Sequence, residues 1–340
     1  MSKKTIIKTK KPSKKMKKFI AVAAVVGLML TSCVTNEMFD EQTPSEIRME
    51  AVTKVANKAI VEGATVPDDF NFTVFGFFTE DDFATTPPQQ FAMYNVDCTK
   101  QGTYFKNATQ SYYWPLSGKV GFYAIAPADV EPSLAWSTGI SLTDYTVTGH
   151  EDKDLMFAYN VGSKQAAALD MVFYHALAQV EVALNTDKEY SGATIDVNAV
   201  SFKNVDVTAD CTYKELSPAD QTANPSIAWT NNATYDSTER YSDTAQTVVY
   251  GTDATAYGSG IVVIPQQMCT TLGDESMISI SYTLTQNTNA ISGTIDVPIT
   301  TEWGVGNKYI YTVTFKLDEI LFDPSVEDWV EVATESVTIE

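Results

Sequence analysis

Histidine is almost missing from this 340-residue chain: there are two, His150 and His175, beside four cysteines with no CxxC pair among them. That scarcity argues against a zinc site, whose tetrahedral shell draws on closely spaced cysteine and histidine. It argues equally against a disulfide framework. One disulfide among Cys98, Cys211 and Cys269 stays open, with the pair undetermined. Also missing are GxSxG, HExxH, a P-loop and a Gly-rich dinucleotide turn. No residue stands out as a nucleophile or base, and no cofactor or metal is implied. No amphipathic run longer than about three helical turns is visible, which removes bundles and α/β folds.

Basic residues are sparse and badly distributed. Of 23 lysines and arginines, nine are lysines within the first 18 residues, where no acid occurs. Twelve apolar or near-neutral residues follow, Phe19 to Leu30. A basic segment followed by a short apolar run reads as an export signal; it is too short to span a bilayer, which takes ~20 residues. Leu30-Thr31-Ser32-Cys33 then matches a bacterial lipobox, with small residues at the cut and Cys33 as the lipidated residue. The competing reading is a plain secretory signal with a chance cysteine. The expected organisation is a lipoprotein signal peptide over 1–32, a lipidated tether over 33–45, and a mature chain starting at Cys33. With none of the 43 acids in the leader, the mature chain carries a net charge of −29. Such a polyanion is repelled by phosphate backbones, so nucleic acid is not a partner.

What remains is β-structure. Runs such as "NFTVFGFF" (71–78), "KVGFYAIA" (119–126), "ALDMVFYHALAQVEVAL" (168–184), "MISISYTLT" (277–285) and "KYIYTVTFKL" (308–317) are rich in β-branched and aromatic residues. Ile278, Ile280, Tyr282 and Leu284 alternate with polar residues, the period of a half-buried strand. The fold class is all-β, two β-sandwich domains in tandem, with expected limits 46–172 and 173–340. The polar stretch 217–243 reads as a surface loop. "SYYWP" (111–115) reads as a core strand ending at Pro115, or else as an aromatic platform for sugars. His175 reads as a buried histidine bonded to backbone, with a catalytic histidine as the alternative. The acidic runs "TEDDF" (79–83) and "HEDKD" (150–154) read as solvated loops, with calcium the alternative although neither has EF-hand spacing.

Four features together resemble the fimbrillins, subunits of the type V pili of Bacteroidales-type bacteria. They are the lipobox, the strand-and-loop "EIRMEAVT–KVANKAIVEG" (46–63), the pattern of Phe173, His175, Ala176, Leu177, Ala178, Val180 and Val182, and "EWGVGNKYIYTVTF…FDPSVEDWVEV" (302–332). The resemblance implies two transthyretin-like sandwich domains and a structural, non-enzymatic role in adhesion. It implies a lipid-anchored precursor at the outer membrane and a trypsin-like maturation protease. The first strand then leaves, and the C-terminal strand of another copy or a related pilin fills the gap. On this reading the cut falls between Lys58 and Ala59, with Arg48 as runner-up; lysine departs from the family's arginine and puts an Arg-only protease in doubt. The donor segment is 329–340, with Trp329, Val330, Val332, Val337 and Ile339. About five apolar side chains entering such a trough amount to roughly 7–15 kcal/mol of gross burial. The reading from a different class is a surface glycan-binding lipoprotein, which requires Trp114, Trp136 or Trp229 exposed on one concave face. A hydrolase would need paired carboxylates, and the sequence offers none.

Overall fold

The structure, a computed structural model, describes residues 44–54, 66–147, 153–214, 226–231, 234–235, 237–242, 244–251, 253–316 and 320–328. Among these residues there are 21 strands and no helix. The first half holds β1 (Met49–Lys54), β2 (Asn71–Thr79), β3 (Gln89–Gln101), β4 (Tyr104–Lys106), β5 (Lys119–Ala126), β6 (Ser133–Ala135), β7 (Gly139–Thr146), β8 (Met156–Gly162) and β9 (Leu169–His175). The second half begins with β10 (Ala178–Thr186), β11 (Ala193–Val205), β12 (Thr208–Lys214), β13 (Ser226–Asn231), β14 (Ser237–Ser242), β15 (Gln246–Thr247) and β16 (Thr255–Ala256). It ends with β17 (Ile261–Val263), β18 (Met277–Gln286), β19 (Asn289–Pro298), β20 (Asn307–Phe315) and β21 (Ile320–Asp328).

Seven strands close into a barrel in the order β1-β4-β3-β2-β5-β8-β9. The strands that read as continuous apolar runs form the wall that is buried on both faces, as a doubly covered sheet requires. In β5, Val120, Phe122 and Ala124 face the barrel core with Phe72, Phe105 and Phe173. Tyr123 and Ile125 face the other way, onto a second core. That second core is covered by a four-stranded sheet, β13-β12-β7-β6, through Ile140, Leu142, Cys211 and Tyr213. Gly139 lies at φ +76°, and a Cβ there would meet the Tyr213 carbonyl oxygen at 2.1 Å, so only glycine lets the β6–β7 turn press onto β12.

The remaining strands make a sandwich. One sheet runs β16-β10-β20-β21 with β17 beside β10; the other runs β14-β11-β18-β19 with β15 beside β11. Val180, Val182, Leu184, Tyr311 and Val313 from the first pack against Ile195, Val197, Val200, Phe202 and Ile280 from the second. In β11 the inward residues change parity between Val197 and Val200, and the register with β18 shifts between Val197 and Ala199. The bulge restores the inward set on a long strand that would otherwise turn its apolar side chains to solvent.

Three local expectations change. The expected passage between residues 172 and 173 falls inside β9; the chain leaves the barrel at Ala176-Leu177. The four-stranded sheet combines β6 and β7 from before that passage with β12 and β13 from after it. The stretch 217–243 contains β13 and β14, paired with β12 and β11; in β13 only Ile227 and Trp229 alternate inward, a short signal in polar surroundings. "SYYWP" is no strand: it makes a single bridge, Tyr113 to Glu46.

Candidate functional site

The barrel is closed by its shortest commitment. β1 runs parallel to β9 through six Cα partners, from Met49↔Leu169 to Lys54↔Tyr174. On its other side it meets β4 at one position only, Met49↔Phe105. "EIRMEAV" alternates: Ile47, Met49 and Ala51 point inward at 1, 0 and 8 % exposure, whereas Glu50 and Val52 face out. Beneath them lies an aromatic floor. Phe72 and Phe173 have ring centroids 5.0 Å apart, Phe70 and Phe173 5.1 Å, and Phe72 and Phe105 5.5 Å. Burying Ile47 and Met49 contributes about 3–6 kcal/mol. Without β1, the edges of β9 and β4 would expose unpaired N–H and C=O groups above that apolar floor.

The segment leading into β1 is held by side chains. Glu46 Oε1 accepts from Lys106 Nζ at 2.9 Å and from Ser111 Oγ at 2.7 Å. The Ser111 and Lys106 hydrogen bonds hold the Glu46 carboxyl below its ordinary value of 4.5, with partial burial opposing them. Ile47 N–H donates to the Tyr112 carbonyl at 2.8 Å, and the Arg48 carbonyl accepts from Leu169 N–H at 2.8 Å. The Arg48 guanidinium lies 4.8 Å from the Tyr104 ring centroid and donates to the Ala166 carbonyl.

Of the residues singled out from sequence, Arg48 is thus packed at the mouth of β1. Cys33, Lys58, Ala59, Trp329, Val330, Val332, Val337 and Ile339 lie outside the described residues. Glu46, Lys106 and Ser111 escaped the sequence reading because their separations of 60 and 65 residues leave no local signal. The inward set Ile47, Met49 and Ala51 was recoverable from its period of two.

Other candidates resolve into structure. His175 Nδ1 bonds Asp154 Oδ2, so a carboxylate is among its partners. Cys98, Cys211 and Cys269 are free thiols. Burial pushes the Cys98 thiol up to about 12 and raises Cys211 as well, which suppresses the thiolate that reactivity requires. Asp82 Oδ1 caps its own turn at Ala84 N–H, and Lys153 pairs with Asp129 at 2.6 Å. Trp114 is 4 % exposed against the barrel core. Trp136 stacks on Phe83 at 4.4 Å, and the half-buried Trp229 donates from Nε1 to the Ala176 carbonyl at 2.7 Å. None of these rings is exposed, so the glycan platform loses the feature on which it rested.

A β-barrel and a β-sandwich, with the barrel closed by a one-sidedly paired N-terminal strand, define the class. The chain belongs to the fimbrillin-like family, which its sequence matches over residues 59–329. A fimbrial protein from Bacteroides vulgatus has the same fold: TM-score 0.57 at 16 % identity, over 84 % of this chain and 99 % of that one. A candidate cell adhesion protein from Bacteroides ovatus is similar at TM-score 0.49 and 15 % identity, over 86 % and 100 % of the two chains. No curated protein sequence matches.

Proposed function

We propose that the chain is a structural subunit of a cell-surface fimbria, supporting adhesion and not catalysis. It is exported as a lipoprotein on Cys33, held at the outer membrane, and trimmed by a trypsin-like protease between Lys58 and Ala59. β1 then departs with the lipid, and the 329–340 segment of another copy or a related pilin takes its place. In this reading residues 1–32 are the leader and 33–45 the tether, and two transthyretin-like domains divide at Ala176-Leu177 instead of after residue 172.

The observation that carries the reading is the position of β1. It closes the barrel, buries its inward side chains over an aromatic floor, and among the described residues has full pairing on one side only. A strand in that situation can leave without dismantling its neighbours, and the slot it vacates is a template for strand addition. A head-to-tail contact of this kind does not close on itself and so builds a filament. The family match begins at residue 59, the N-terminus that the proposed cut would create. Arg48 suits the cut less well than Lys58, because its carbonyl and guanidinium are both engaged.

Limited trypsin digestion of the delipidated protein tests this. The expected product is a stable core beginning at Ala59, followed by filaments under electron microscopy. A loop that resists cutting, or a clipped protein that stays monomeric, overturns the reading.

A further inference from the structure

We propose that Glu46, Lys106 and Ser111 form a clasp that decides when β1 can leave the barrel. This rests on the reading that β1 is the departing strand. β1 is held unequally along its length. From Glu50 to Lys54 it has a ladder to β9 and, among the described residues, no partner on the β4 side. At its start, the β4 contact and the side-chain ties converge within residues 46–49. They comprise the Met49↔Phe105 pair, the Glu46↔Tyr113 bridge, the Ile47 N–H to Tyr112 bond and the two bonds on the Glu46 carboxylate.

The consequence is directional. A break in the chain after β1 frees the Lys54 end, where one ladder is all that resists fraying. Opening runs back toward Met49 and stops at the clasp. The Glu46 bonds are charge-assisted and only partly open to water, with Lys106 and Glu46 side chains 32 and 27 % exposed. Arg48 adds to that end through its carbonyl, which accepts from Leu169 N–H, and its guanidinium, which donates to the Ala166 carbonyl. The clasp therefore retains a clipped strand until an incoming one competes for the same slot. This protects the precursor from premature loss of its barrel.

Hydrogen exchange on the intact chain tests the clasp without any protease. In Glu46→Gln and in Lys106→Met, amides of Met49–Lys54 should exchange about tenfold faster than in the parent, while those of β10 and β20 keep their rates. Combining the two substitutions should add little, because the same pair is lost once. In the parent, exchange should be faster toward Lys54 than at Ile47. Unchanged β1 exchange in both variants, a reversed gradient, or equal quickening across β10 and β20 each overturns the clasp. A loop that resists trypsin, alongside fast β1 exchange in the variants, would overturn the maturation reading and leave the clasp standing.

Discussion

Two strand pairs among the described residues are parallel, β1–β9 in the barrel and β10–β20 in the sandwich; their flanks differ. The β10–β20 ladder has eight Cα partners, Gln179↔Lys308 to Thr186↔Phe315. β20 is then paired along its other side with β21 at nine positions, and β10 with β17 and β16. The β1–β9 ladder has six partners, and β1 has one more, to β4. The pairing is alike; among the described residues one strand is fixed along both sides, the other along one side and at a single position on the other. Removability is thus a property of the flank and not of the ladder, since each further row of backbone bonds must break before a strand can leave.

The largest expected effect lies on the fixed side. Phe315→Ala in β20 removes a ring that is 1 % exposed and should cost about 3–5 kcal/mol in denaturant unfolding. Met49→Ala removes a fully buried side chain from β1 and should cost about 2 kcal/mol globally, at the low end for such truncations, while β1 exchange quickens disproportionately. Equal global losses with uniform quickening would break the comparison.

Acid sharpens it at smaller cost. Hydrogen bonds from Ser111 and Lys106 lower the Glu46 carboxyl, and those from Ser279 and Lys203 lower Asp296 on β19. A carboxylate lowered by folding contributes stability that is complete above its ordinary pKa and is lost as pH falls through the lowered folded value. Protection of β1 should therefore hold from neutrality and decline below 4.5, the ordinary value for Glu46. Glu46→Gln should flatten that decline and leave any acid sensitivity of the β18–β19 hairpin intact. Hydrogen exchange followed across pH reads both, and a β1 profile that keeps its acid limb in Glu46→Gln would contradict the assignment.

Much of the fold was legible because the core strands announce themselves. β5 spans the run read from sequence, Lys119–Ala126, and the alternation of Ile278 and Ile280 marks β18 as half-buried. Reading failed where local signal and tertiary demand part. The run around His175 looked continuous, yet the chain changes sheets at Ala176-Leu177, and nothing in the pattern marks the turn because both residues are fully buried. β3 leaves a weak trace in the sequence: polar residues fill both its ends, and Asn95, at φ 56°, interrupts the alternation. β13 and β14 hid in a stretch whose composition suits a loop, since their strand state comes from distant partners. Of the site, the strand "EIRMEAVT" was visible; the residues that secure it were not.

The sequence alone determined the all-β class, the polyanionic character and the inward set of Ile47, Met49 and Ala51. Composition and period two are local quantities, set by which side chains a pleated, half-buried strand can carry. Tertiary structure decided that β1 lies parallel to β9 with a single described pair on its other flank, that strands from both halves share a sheet, and that Glu46 meets Lys106 and Ser111. Those depend on hydrogen-bond partners scores of residues away. A chain encodes such partners only through the packing of the whole.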